Sequence, residues 1–217
     1  MNLQKLNGKE LRGALIGMML GDMSAFIRKD RKNGIISITH SVKQLEYLEF
    51  KTELIKNNLL VGTHISERNT NLNGKIFKQY QMCTNVSKHA TYMRRAMYKC
   101  GVKHIKNSIL KQLTDFGLYL WYLDDGYLNI RYDKNTGKVK EYRIFIYTNS
   151  FKLDEQILIQ KWFAERYNIS PNINKKGNGH ILYFNSSKTR ELMKILNPFS
   201  HLVACMEYKF LGYHNLP

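Results

Sequence analysis

The chain has 217 residues, 43% of them hydrophobic, which is enough for one large domain or two small ones around a buried core and excludes wholesale disorder. Thirty-four Lys and Arg face 17 Asp and Glu, for a formal net charge of +17, spread among aromatics and Asn and not gathered in blocks. That pattern fits an extended surface for a polyanion, nucleic acid ahead of an acidic membrane, because no basic amphipathic helix stands out. No apolar run is long enough to span a bilayer, and the first ten residues lack a signal-peptide core. Cys83, Cys100 and Cys205 have no paired spacing, so neither a zinc knuckle nor a disulfide framework is expected. The expected setting is intracellular and not secreted. Richness in Lys, Asn and Ile suggests an AT-rich genome: an organelle (mitochondrion or chloroplast), a bacterium or a phage-infected cytoplasm.

Residues 8–21 carry small and apolar residues at helical spacing and predict a helix. Met23 to Asp30 alternates, Arg31 to Gly34 offers a turn, and Ile35 to Ser41 reads as the return strand. Lys43 to Asn58 is helical, with Leu45, Leu48, Leu54 and Ile55 near one stripe. Strands are expected near 60–68 and 75–84, joined by Asn69 to Gly74, and a short helix near 87–99. A bridging segment at 103–113 leads to a helix at 114–125. The order then repeats. Tyr127 to Asp133 alternates, Lys134 to Gly137 turns, Lys140 to Asn149 returns and Leu153 to Tyr167 is helical. Strands near 171–176 and 180–185 flank Lys176 to Gly179, and a helix at 187–196 ends before Pro198.

The sequence αββαββα thus occurs twice, and the expected fold class is α/β (α+β) with pseudo-two-fold symmetry. The expected units are an N-terminal half at 1–102, a bridge at 103–113 and a C-terminal half at 114–217. No Pro/Ser-rich linker separates them, so they are expected to form one rigid, monomeric body.

Two apolar helical runs end in acids 103 residues apart: Leu11 to Asp22, and Phe116 to Asp125. Gly13, Gly17 and Gly21 recur every four residues and share a helix face. Glycine costs a helix stability, so three on one face imply close backbone contact with another helix. A helix C-terminus carries free carbonyls and partial negative charge, so Asp22 and Asp124-Asp125 are electrostatic misfits there. A divalent cation held by both acids and the free carbonyls of Gly21 and Asp124 would remove the misfit, and Mg²⁺ suits such hard oxygen donors.

Alternation sorts the strand residues that follow each acid. Ala25 and Ile27 point inward, and Ser24, Phe26, Arg28 and Asp30 outward. In the second half Leu128, Ile130 and Tyr132 point inward, and Tyr127, Asn129, Arg131 and Asp133 outward. The return strands add Ser37, Thr39 and Ser41, then Arg143, Phe145 and Tyr147. The outer strands add His64, Ser66, Arg68, Gln79 and Gln81, then Asn172, Asn174 and Lys176. Arg, Asn, Gln, Ser and Thr are residues that read base edges, and a two-stranded ribbon fits the major groove of DNA.

Leu15-Ile-Gly-Met-Met-Leu-Gly-Asp22-Met23 and Leu118-Tyr-Leu-Trp-Tyr-Leu-Asp-Asp125-Gly126 resemble the paired LAGLIDADG motifs of single-chain homing endonucleases. The Trp-Tyr-Leu-Asp-Asp-Gly string is most similar to the yeast mitochondrial intron-encoded branch. The departures are Met23 in place of Gly, and Leu120 and Asp124 where small residues are usual, which imply looser packing of the second helix. The resemblance covers nearly the whole chain. It implies a double-stranded DNA substrate cut at one long asymmetric site, leaving short 3′ overhangs, with Mg²⁺ held by Asp22 and Asp125. Mn²⁺ or Ca²⁺ could take the ion's place in binding. It also implies a catalytic lysine in each half, matched by Lys103, with Lys106 in competition, and by Lys209. Intron mobility is the implied role. A maturase that binds intron RNA and a non-cleaving DNA-binding regulator are the rival readings. The regulator would normally have lost Asp22 or Asp125, and here both stand.

Overall fold

The structure is a computed structural model describing residues 3–210; the outermost ends of the two expected halves lie outside that range. In chain order the elements are α1 (Gly8–Leu20), β1 (Ser24–Phe26), β2 (Ile35–Ser41), α2 (Leu45–Leu59), β3 (Thr63–Leu72), β4 (Lys75–Thr84) and α3 (Lys88–Met97). A small hairpin of β5 (Tyr98–Lys99) and β6 (Val102–Lys103) and the one-turn α4 (Asn107–Leu110) lead to α5 (Asp115–Asp125). Then come β7 (Gly126–Tyr132), β8 (Val139–Ile146), α6 (Leu153–Tyr167), β9 (Asn172–Lys176), β10 (Gly179–Phe184) and α7 (Ser186–Leu196). Two 3-10 segments, Asn197–Leu202 and Ala204–Lys209, follow.

Each half forms a four-stranded antiparallel sheet, in the orders β1-β2-β4-β3 and β7-β8-β10-β9. The two orders correspond strand for strand, which is the expected duplication. Helices cover one face of each sheet. Ile36, Ile38, Met82, Ile144 and Ile146 alternate into the core, while the residues between them face away from it.

The two acid-tipped helices α1 and α5 meet at the centre. Asn7 caps α1, its side chain accepting from the Lys9 and Glu10 N–H groups, and Thr114 accepts from the Gly117 N–H at the start of α5. Their contact is backbone on backbone. A Cβ on Gly17 would collide with the Gly117 carbonyl, one on Gly117 with the Gly13 carbonyl, and one on Gly13 with Thr114. The looser second helix expected from Leu120 and Asp124 is therefore not found. Gly117 supplies the close approach, Leu120 is fully buried, and Asp124 folds against Gly21.

Boundaries differ from expectation in several places; the return strand β8, for one, ends at Ile146, three residues before Asn149. β1 stops at Phe26, and Arg28 to Arg31 close a turn in place of strand. β3 runs on to Leu72, so the expected loop from Asn69 shrinks to Asn73-Gly74, both at positive φ (53° and 79°), the conformation of a two-residue hairpin turn. The bridging segment is partly regular, holding α4 and the end of a hairpin.

Candidate active site

The ends of α1 and α5 bring Asp22, Asp124 and Asp125 together with three lysines. Asp125 accepts from the indole N–H of Trp121, one turn earlier, at 3.1 Å. Burial, and then the negative charges of Asp124 and Asp22, push its carboxyl up to about 7. Burial and Asp124 also raise the Asp22 carboxyl. Carboxyls held against ionisation by burial and by each other are the donor set that a hard divalent cation suits, and Asp22 and Asp125 fit one on that chemistry.

The expected lysines arrive at matching places. Lys103 donates to the Gly21 carbonyl at 2.6 Å. Lys209 donates to the Leu123 carbonyl at 2.5 Å and to the Gly126 carbonyl at 2.8 Å, and also donates to the Asp124 carbonyl at 3.4 Å. Each ammonium thus sits on the C-terminal carbonyls of its half's central helix, where positive charge is favoured. Burial lowers both lysines, Lys209 to about 8. Lys106 is exposed at the start of α4. The two carbonyls assigned to the metal from sequence, Gly21 and Asp124, each also accept from a lysine ammonium, Lys103 at 2.6 Å and Lys209 at 3.4 Å, and each keeps a second lone pair.

Asp124 itself is the larger departure. Its side chain is fully buried; Oδ2 accepts from the Asp22 N–H at 3.0 Å, and Oδ1 accepts from Lys51 Nζ at 2.5 Å. Lys51 is also wholly buried, 4.2 Å from the Tyr47 ring centre and 3.1 Å from His40 Nε2. His40 Nδ1 lies 3.7 Å from Asp22 Oδ2, and burial beside Lys51 pushes the imidazole down to about 4, so it is neutral. Oxygen and nitrogen atoms of Asp22, His40 and Asp124 lie within 4.8 Å of one another, as a metal set would. The Lys51 ammonium, bonded to two of the three, already supplies the cation there. Neither His40 nor Lys51 is found by sequence reasoning. The available signal is a lysine on the buried stripe Tyr47, Leu48, Lys51, Thr52, Ile55 of α2.

The outward strand residues fall into rows across each sheet. In the first, Ser24, Ser37, Cys83 and His64 stand in register, then Thr39, Gln81 and Ser66, then Ser41, Gln79 and Arg68. Ser37 is on this face but only 4% exposed, its hydroxyl accepting from Gln81 Nε2 at 2.8 Å. Phe26 lies on the same face, whereas Arg28 and Asp30 belong to the exposed turn and not to the strand, Asp30 pairing with Arg31 at 3.3 Å. In the second sheet Tyr127, Phe145, Tyr183 and Asn172 form a row, then Asn129 and Arg143, then Arg131 and Glu141. Asp133 stands just past β7, where its carboxylate accepts from the Asn135 and Thr136 N–H groups and closes the β7–β8 turn. Lys176 donates to the Tyr147 hydroxyl at 3.0 Å, and Asn172 accepts from Lys188; Asn174 is exposed. Cys83, Glu141 and Tyr183 were missed, although strand alternation alone would have placed them. Glu141 binds Arg143 and approaches Arg131 at 3.5 Å, so two of the expected DNA-facing arginines share one carboxylate.

Residues 12–192 match the model of the LAGLIDADG DNA endonuclease family. Cytochrome b mRNA maturase bI2 of Debaryomyces hansenii is 29% identical over 216 residues, 98% of this chain and 78% of that one. A probable intron-encoded endonuclease 1 of Wickerhamomyces canadensis is 23% identical over 91% of this chain and 82% of its own. Protein RecA of Mycolicibacterium flavescens is 23% identical, with 45% of its length spanned. Among solved structures, the homing endonuclease I-WcaI bound to its DNA recognition sequence superposes with a TM-score of 0.78, at 23% identity, over 94% of this chain and 87% of that one. With the family model matched across both acid-tipped helices and both sheets, the chain belongs to the LAGLIDADG DNA endonuclease family.

Proposed function

We propose that the chain is a site-specific, metal-dependent homing endonuclease that cuts both strands of one long asymmetric DNA target, leaves short 3′ overhangs and promotes intron mobility. The observation that carries this reading is the pair of carboxyls, Asp22 and Asp125, one from each half, poised at the centre between two outward-facing sheets. Such acids would hold a divalent cation, which supplies an activated water and neutralises charge on the leaving oxygen. Lys103 and Lys209 keep positive charge beside each acid, and the buried walls of α1 and α5 fix the acids relative to the DNA. The strand rows described above would meet base edges, with Arg131, Asn129, Gln79 and Gln81 as the polar readers. The protein would act as a monomer, in an organelle of the kind its yeast relatives suggest.

Selection from a randomised duplex library with Mg²⁺ tests this. The expected result is one family of long sites cut in both strands with a few-nucleotide 3′ stagger, and no cutting in EDTA. The resemblance to a maturase favours a second reading, intron RNA binding. Tight intron RNA binding with no DNA cleavage under any divalent cation would establish that reading in place of the first.

A further inference from the structure

Resting on the reading of Asp22 and Asp125 as the cation-holding pair, we propose that His40, Lys51 and Asp124 are positioning residues for Asp22 alone, so that the two half-sites are unequal and serve the two DNA strands differently.

The duplication provides the internal comparison. Ser24, two residues after Asp22, pairs with Ser37, and His40 follows three residues later. Tyr127, two residues after Asp125, pairs with Phe145, and Thr148 follows three residues later. Thr148 therefore stands where His40 does. Lys51 is the seventh residue of α2, and the seventh residue of the equally long α6 is Ile159, fully buried. Across the helix pair, Asp124 faces Gly21. His40, Lys51 and Asp124, which meet at Asp22, thus have Thr148, Ile159 and Gly21 as their counterparts around Asp125. There the Thr148 hydroxyl donates to Gln156 at 2.7 Å, and Gln156 donates on to the His180 carbonyl of β10, a link with no charge in it.

The trio grips Asp22 from two sides. Asp124 Oδ2 holds its backbone N–H, and Asp124 is itself held by Lys51. Lys51 donates to His40 Nε2, which leaves the imidazole hydrogen on Nδ1, the atom 3.7 Å from Asp22 Oδ2, a packing contact beyond hydrogen-bond reach, with the Gln44 side chain also bonded to the ring. One ammonium therefore fixes both the carboxylate behind the Asp22 main chain and the ring beside its side chain. Asp125 has instead the Trp121 N–H. Groups that orient a metal-holding side chain are commonly worth 10–100-fold in affinity or rate.

The test uses the full chain and a duplex of its selected site, each strand end-labelled in turn. His40→Gln removes the ring and leaves the buried Lys51–Asp124 pair intact. The double variant Lys51→Met with Asp124→Asn removes both charges together, so that no buried charge is left unpaired. His40→Gln is expected to slow the cutting of one strand by about 10–100-fold, leave the other within about twofold, and accumulate nicked product; the double variant, which also takes the charge of Asp124 away from Asp125, should slow that same strand at least as much. Calorimetric titration of Ca²⁺ into the protein–DNA complex should show one class of site weakened about tenfold and the other unchanged. Equal slowing of both strands, or Ca²⁺ binding unaltered in both classes, would overturn the inference. A melting temperature near wild type for His40→Gln separates positioning from loss of fold. Failure of the wild-type chain to cut any duplex would instead defeat the functional reading, and the Ca²⁺ titration, made with a duplex selected by binding alone, would still decide the inference.

Discussion

Asp22 and Asp125 could be picked out from sequence because a carboxylate at a helix C-terminus is out of place electrostatically, and two such misplacements at matching positions call for a cation. Asp22→Asn or Asp125→Asn is therefore expected to abolish double-strand cleavage in gel assays with Mg²⁺ while leaving DNA binding within a few-fold; full cutting by either variant would refute the metal assignment. The same misfit has a consequence for stability. The Asp125 carboxyl titrates near 7 in the folded chain, above its ordinary range, because of burial and its acidic neighbours. Between about 4 and 7 the folded state therefore binds more protons than the unfolded one, and this group's contribution is lost as pH rises. Asparagine mimics the protonated form and can still accept from Trp121. In EDTA, Asp125→Asn should melt above the wild type at pH 8, with the gap closing toward pH 4. A lower melting temperature at pH 8 would mean that the acids are not in conflict in the metal-free protein. Lys51 and His40 were harder to find: the one local signal is a lysine on the buried stripe of α2, and the carboxylate it meets lies 73 residues away.

At the scale of elements, periodicity identified nearly every helix and strand, because each buries one face and pattern follows burial. It misjudged where β1 ends, since Met23 to Asp30 alternates beyond the three residues that find partners on β2. It also gave no hint of the 3-10 segment that carries Lys209, which has neither helix nor strand period. The glycine stripe, by contrast, was informative about contact as well as shape. Gly13, Gly17 and Gly21 on one face implied a close neighbour, and it is α5: Thr114, Gly117 and Asp124 stand opposite them, Gly17 and Gly117 backbone against backbone. Gly17→Val would force α1 and α5 apart and misplace both acids. It should cost about 3 kcal/mol or more in urea unfolding, the upper end for overpacking, and lose cleavage with it. Gly8→Ala, at the start of the same helix and with open space around its Cβ, serves as control and should be neutral to slightly stabilising. Equal effects from the two would mean that the helices can yield at Gly17.

For the whole molecule, the repeated order of elements was legible, but the inequality of the halves was not. The inequality lies in which residue faces which across the pseudo-two-fold axis: Asp124 opposite Gly21, Lys51 in place of Ile159. The surplus of basic residues, +17 in all, belongs to the molecule as a whole and to no single site. If both sheets track the DNA together, with their arginines and lysines on successive phosphates, the complex releases counterions in proportion to the phosphates neutralised. For about six to ten such contacts the affinity should fall by roughly a thousandfold or more between 50 and 200 mM salt. Fluorescence anisotropy with the Asp125→Asn variant, expected to bind without cutting, measures this directly on a labelled duplex of the selected site. The Glu141 carboxylate, shared by Arg143 and Arg131 in the free protein, sharpens the expectation. Glu141→Gln should strengthen binding at every salt concentration, because both guanidinium groups then turn to phosphate or base without first leaving a carboxylate. A dependence on salt of less than tenfold over that range would confine contact to one sheet, and the second half would then serve only to supply its acid.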